Sequence, residues 1–330
     1  MEYADTMNGN NKRGLRQKAA TVAKVLQFAG PFLSYNIFGK AVPVLAGYKI
    51  THRCNLRCSH CPYWARSGPE PTFEEVLDTM RRLKSTGARI IIFEGGEPLL
   101  WRDGNHGIKD VVGAARELFP CVCMTTNGTL SWHGLPLDRL WVSLDGPPYV
   151  HDAVRGKGTY SRVMRNLQSS PNTRAYVSTT ISTENADSIS KLVGLLMGVV
   201  EGITIQFYYP YNGLPDPLFL PHAERAILLD QLIMMKRLGY PIMNSFASLE
   251  ELKRETWSCE EKLLANAEPD GTILQGCYLK NRGPSECSRC GFAAHNEMTL
   301  AFRGKLESII TGMKVFFSSP YTETFPDHTD

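Results

Sequence analysis

The chain has no run of 18 or more consecutive apolar residues, so no segment reads as a transmembrane helix. It also lacks an excess of one charge. Against 36 Lys and Arg stand 33 Asp and Glu, a net +3 too small to mark a nucleic-acid binder, and no RNA- or DNA-binding signature appears. Nine cysteines in 330 residues are too sparse for a disulfide scaffold, and they gather instead as potential metal ligands. No secretory signal precedes them, so a reducing cytoplasm is the expected compartment. With 43% apolar and 21% charged residues, the chain can bury one large α/β core and carry a smaller appendage.

What is present starts at Cys54, Cys58 and Cys61, a CxxxCxxC array within Thr51-His52-Arg53-Cys54-Asn55-Leu56-Arg57-Cys58-Ser59-His60-Cys61. Soft thiolates select iron–sulfur clusters or zinc. Three of them with no fourth nearby suit a cubane that leaves one iron open to a small molecule. His52 and His60 offer the competing solution, a tetrahedral zinc site.

Around the array, β-rich runs alternate with helical ones. The strands expected are Leu45–Thr51, Arg89–Glu94, Cys121–Thr126, Leu140–Leu144, Ala175–Ile181 and Ile203–Tyr209. The helices expected are Glu74–Lys84, Ile108–Leu118, Tyr160–Gln168, Asp187–Val199 and Ala223–Leu238, the first with Val76, Leu77, Met80 and Leu83 on one face. Six such repeats imply parallel strands with right-handed crossovers, in either a partial barrel or an open doubly wound sheet. Cys54, Gly95, Asn127 and Asp145 each follow a strand, at the end where α/β barrels gather their active sites.

The array resembles the cluster loop of the radical S-adenosylmethionine (radical SAM) superfamily. So do Gly95-Gly96-Glu97-Pro98, Thr125-Thr126-Asn127-Gly128, Ser143-Leu144-Asp145-Gly146, and His151-Asp152 with Arg155, in order, over roughly residues 45 to 210. This resemblance implies a partial (β/α)6 barrel and disfavours structural zinc at the array. It also implies a 4Fe-4S cluster on Cys54, Cys58 and Cys61 that binds S-adenosylmethionine and cleaves it reductively. The resulting 5′-deoxyadenosyl radical would take hydrogen from an unactivated C–H bond, with an electron donor such as flavodoxin or ferredoxin. Gly95, Gly96, Glu97 and Pro98 would then meet the cofactor's ammonium. Asn127, Ser143 and Asp145 would meet its ribose or carboxylate, and Arg155 its carboxylate. His60 stands where the family often has an aromatic residue near adenine, so the adenine contact departs from the pattern. No residue type marks a catalytic acid or base.

Further on, Cys259, Cys277, Cys287 and Cys290 frame Glu268-Pro269-Asp270-Gly271 and precede Gly291-Phe292. This group resembles the shortened auxiliary-cluster cap called a twitch domain, related to the SPASM cap, which implies a second 4Fe-4S cluster. Zinc on four thiolates is the alternative. Cys121 and Cys123 alternate along a strand and read as packing residues.

The organisation expected is a basic amphipathic helical extension over 1–41, a barrel over 42–245, an auxiliary-cluster cap over 246–317 and a tail over 318–330. In the extension Leu15, Ala19, Val22, Leu26 and Ala29 share a helical face and Gly30-Pro31 ends the helix. Lys12, Arg13, Arg16, Lys18 and Lys24 make it basic, suited to the barrel bottom or to a peripheral contact at the inner membrane face. Phe207, Tyr208, Tyr209 and Tyr211 line an apolar cavity or pack in the barrel, and the loop Asn212–Pro221 reads as mobile. An apolar, lipid-like small molecule is the first substrate class, a peptide the second. A non-catalytic metal-binding scaffold is the third reading.

Overall fold

The computed structural model describes residues 21–169, 175–280 and 285–317. Six strands pair in parallel in chain order: β1 (Leu45–Thr51), β2 (Ile90–Gly95), β3 (Cys121–Thr126), β4 (Arg139–Ser143), β5 (Ala175–Ile181) and β6 (Gly202–Phe207). Their side chains alternate between two apolar worlds, as period-two geometry requires. Tyr48, Phe93, Met124, Val142, Val177 and Ile205 point outward into the main core. Ile90, Cys121, Cys123, Trp141 and Tyr176 point inward and fill the concave side near its base.

Helices α2 (Phe73–Ser85), α3 (Ile108–Leu118), α5 (Thr159–Gln168), α6 (Ile189–Leu195) and α7 (His222–Arg237) cover the outer face, while the short α4 (Pro148–Arg155) lies against the cysteine loop, where Ser59 N–H donates to the Val154 carbonyl (2.9 Å). Helix α2 starts where Thr72 and Glu75 form a capping box. Helix α6 is shorter than its apolar spacing suggests, because Ala186–Ser188 forms a 3-10 turn and the helix stops at Leu195, just before Gly198 (φ +76°). The architecture is a partial (β/α)6 barrel. No helix among the described residues is long and apolar enough to cross a membrane.

The segment 246–317 extends the sheet at its first edge. After α8 (Phe246–Arg254), strand β7 (Leu264–Ala267) pairs in parallel with β1, and β8 (Ile273–Gln275) pairs antiparallel with β7. The sheet order is β8-β7-β1-β2-β3-β4-β5-β6. Helices α9 (Ala293–Phe302) and α10 (Leu306–Phe317) then turn under the barrel, where Val315 and Phe316 pack against the inward cluster and Arg139 donates to the Val315 carbonyl.

The first helix, α1 (residues 21–38), runs through Gly30-Pro31 rather than ending there. Its inward face is Phe28, Phe32 and Tyr35, seated on Val44, Leu263 and Phe302. The face read from the spacing, with Val22 and Leu26, is turned to solvent. Leu15, Ala19, the four basic residues from Lys12 to Lys18 and the tail lie outside the described residues. The loop Asn212–Pro221 is tied down: Tyr208 donates to Asp216 (2.9 Å), Thr183 to the Pro217 carbonyl (2.6 Å), and Leu220 is buried.

Candidate active site

The cysteine array leaves β1 as a loop clipped to the turn after β2. Gly96 N–H donates to the Thr51 carbonyl and Glu97 N–H to the Arg53 carbonyl, both at 2.8 Å. The approach is so close that a Cβ on Gly96 would lie 2.2 Å from the Arg53 oxygen. Gly95 has φ +147° and a Cβ there would lie 2.3 Å from the Thr51 oxygen, so both positions need glycine. Pro98 opens a 3-10 turn that carries the chain away.

Glu97 does not face the cup. Its carboxylate accepts from Thr126 Oγ1 (2.8 Å), Asn127 N–H (2.7 Å) and Leu99 N–H (3.2 Å), locking the turn onto the end of β3. Burial raises its pKa to about 7, against the pull of these donors. Asn127 is likewise committed, with its amide nitrogen 2.8 Å from Asn55 Oδ1 and 3.9 Å from Cys54 Sγ, and its oxygen accepting from Thr129. Both residues order the cysteine loop, and their polar atoms are taken by the chain itself.

Asp145 and Arg155 form a buried ion pair, Nε to Oδ2 at 2.5 Å. Burial pushes the Asp145 carboxyl up, but Arg155 and then His60 pull it down, and the net shift is downward. Its other oxygen accepts from Thr180 N–H at 3.0 Å. Arg155 is therefore neither a surface charge nor an uncommitted fork, since its Nη1 also reaches Cys58 Sγ at 3.9 Å. His60 sits 4.0 Å from Asp145 with its pKa lowered by burial. Ser143 is half-buried at the end of β4.

The thiols are poorly solvated. Burial pushes Cys58 up to about 11 despite Arg155, and it raises Cys54 as well. Thiolates in such a place need a compensating cation, which suits a metal centre. Among the described residues no three His, Cys, Asp or Glu side chains converge on a point suited to one metal ion. A tetrahedral zinc with Zn–S near about 2.3 Å requires that convergence. A cubane does not, because each thiolate meets its own iron, and the donor set fits one.

The second cysteine group lies over the same mouth. Gly291 accepts from Phe207 N–H at the end of β6 (3.0 Å), and Tyr278 stands 5.8 Å from Tyr63, two residues past Cys61. Burial takes Cys259 and Cys290 to about 12, and the nearby sulfurs of Cys277 and Cys287 push both in the same direction. Backbone N–H groups of Phe292 and Gly291 point at Cys290. Hydrogen bonds to sulfur of this kind tune iron–sulfur centres.

Several site residues escaped the motif reading. Lys49 and Glu94 form an ion pair inside the cup (2.8 Å), with the Lys49 ammonium over Tyr278 (4.4 Å) and Tyr63 (5.1 Å). A charge near the end of each apolar strand was the available signal. Tyr211 meets Tyr63 at 5.7 Å, joining the two cysteine groups through aromatic rings. Buried Arg225 donates to the Leu220 carbonyl (2.8 Å) and reaches the Cys290 carbonyl (3.5 Å), bracing the second group against α7.

A cup of parallel strands with three thiols on the loop after its first strand makes this an α/β barrel protein with a candidate metal-binding loop. The family model described as Radical SAM superfamily matches residues 48–195, and the chain therefore carries a radical SAM domain. The chain is 30% identical over 175 residues to an Fe-coproporphyrin III synthase of Methanosarcina barkeri, covering 48% of this chain and 42% of that protein. It is 41% identical over 104 residues to a probable GTP 3′,8-cyclase of Methanocella arvoryzae, covering 29% and 32%. Each match spans less than half of the relative's own length. In fold, the chain resembles Streptococcus suis SuiB bound to precursor peptide SuiA, with a TM-score of 0.60 at 14% identity over 82% of this chain and 67% of that one.

Proposed function

We propose that the chain is a radical SAM enzyme that abstracts hydrogen from an unactivated C–H bond of a substrate held in the cup. When bound, the 4Fe-4S cluster and S-adenosylmethionine supply one-electron cleavage of the sulfonium and a hydrogen-abstracting 5′-deoxyadenosyl radical. Cys54, Cys58 and Cys61 would hold that cluster. The Gly95–Pro98 turn and Asn127 would fix the loop, with Ser143 and His60 nearest the cofactor's ribose and base. Arg155, oriented by Asp145, would place positive charge beside Cys58. A flavodoxin or ferredoxin would supply the electron. The observation that carries this reading is the convergence on Cys54 and Cys58 of Asn127 from β3 and Arg155 from α4.

Cys259, Cys277, Cys287 and Cys290 would hold a second 4Fe-4S cluster able to accept an electron from a substrate radical. For the substrate, the relatives named above work on a porphyrin, a nucleotide and a peptide, so membership alone does not choose. The cup's own lining of Tyr63, Tyr211 and Tyr278 around the neutralised Lys49–Glu94 pair favours an apolar small molecule. A peptide is the second reading, favoured by the cysteine-bearing segment that lies over the mouth.

Anaerobic turnover of reconstituted protein with deuterated candidates, read as label in 5′-deoxyadenosine, tests the reading. Cys58→Ala is expected to reduce S-adenosylmethionine cleavage to background, whereas Cys287→Ala retains cleavage uncoupled from product. Undiminished cleavage by a folded Cys58→Ala protein would sink it.

A further inference from the structure

Helix α1 has two apolar faces, and only one is used. Opposite Phe28, Phe32 and Tyr35, the side chains of Val22, Leu26, Leu33 and Ile37 are 58%, 64%, 52% and 65% exposed. With exposed Ala29 between them they form one stripe along the helix. Next to it, α10 meets α1 through Phe317 and Phe28 (5.0 Å) and turns Leu306, Ile310 and Met313 outward, at 69%, 44% and 45% exposure. Scattered exposed leucines are ordinary, but seven large apolar side chains on two touching helices are not.

The charges around this surface are mostly basic. No aspartate or glutamate stands between Asp5 and Glu70, while Lys12, Arg13, Arg16 and Lys18 lead into the helix and Lys40 follows it. Lys305 is exposed where α10 begins. The one acid of α10, Glu307, accepts from Ala247 N–H at 3.1 Å. A stripe of apolar residues with predominantly basic flanks complements a surface that is apolar beneath and anionic on top.

We propose that α1 and α10 dock the protein on a bilayer containing anionic phospholipid, with the stripe at the acyl boundary and the exposed Lys40 and Lys305 at the phosphates. The face lies across the N-terminal ends of the strands, since α1 packs on Val44 and pairs Lys24 with Asp138 immediately before β4. The cysteine loop is at the other ends. Docking therefore leaves the cup open on the side away from the lipid, and it holds whether or not the proposed chemistry does.

Co-sedimentation of the full chain with vesicles tests it. The protein should bind phosphatidylcholine vesicles containing phosphatidylglycerol, bind pure phosphatidylcholine poorly, and lose most binding in high salt. Leu26→Glu with Leu33→Glu, both at exposed positions, should weaken partitioning at least about tenfold while the circular dichroism and melting curve stay unchanged. Replacing Lys12, Arg13, Arg16 and Lys18 by Gln should remove the preference for anionic vesicles. No binding to the mixed vesicles, or equal binding by the double variant, would overturn the proposal. So would a dimer broken by the double variant without vesicle binding, which would assign the stripe to a second copy of the chain.

Discussion

Asp145 shows how much one side chain can carry. It is fully buried, neutralises Arg155 and accepts from the β5 backbone, so removing its charge leaves a guanidinium buried without a partner. Asp145→Asn should cost about 3–5 kcal/mol in anaerobic urea unfolding, and adding Arg155→Leu should restore part of it, because the lone charge is the main penalty. The cysteine array was legible in the sequence because its three members sit on one loop at a local spacing. The pairings of Asp145 with Arg155 and of Glu97 with Thr126 and Asn127 were not. Motif residues at neighbouring strand ends are polar whether they face a ligand or one another, and only the fold decides which.

At the scale of elements, the turn after β2 exists to lie on the loop after β1. Gly96→Ala would drive a methyl into the Arg53 carbonyl, and the cysteine loop would have to move. The expected result is a stability loss of about 1–3 kcal/mol and a weakened iron–sulfur absorbance after reconstitution, read by melting and by visible spectroscopy. Strands β1, β3 and β5 were readable to the residue, since their apolar runs are bounded by turns. Helix α1 was readable as a helix but not in its orientation. Its period is satisfied on two faces, and the aromatic stripe of Phe28, Phe32 and Tyr35 won the barrel because it buries more area per residue. The C-terminal strands were missed because Leu264–Ala267 is too short for alternation to speak.

Over the whole molecule, acid should unfold the protein partly through His151. Burial lowers its pKa from 6.5 to about 4, so the native state resists a proton that the unfolded chain accepts. The stability it contributes is full above pH 6.5 and is lost as pH falls to 4, about 3 kcal/mol in all. Melting curves across that window should show the loss, and His151→Gln should flatten it.

The pairing of β7 with β1 joins Leu45 to Leu264. On a chain emerging from the ribosome, the first strand's outer edge waits for more than two hundred residues to be synthesised before its permanent neighbour arrives. Until then it offers unpaired backbone groups to any passing strand, so co-expressed chaperones that shield the nascent chain should raise the yield of soluble protein.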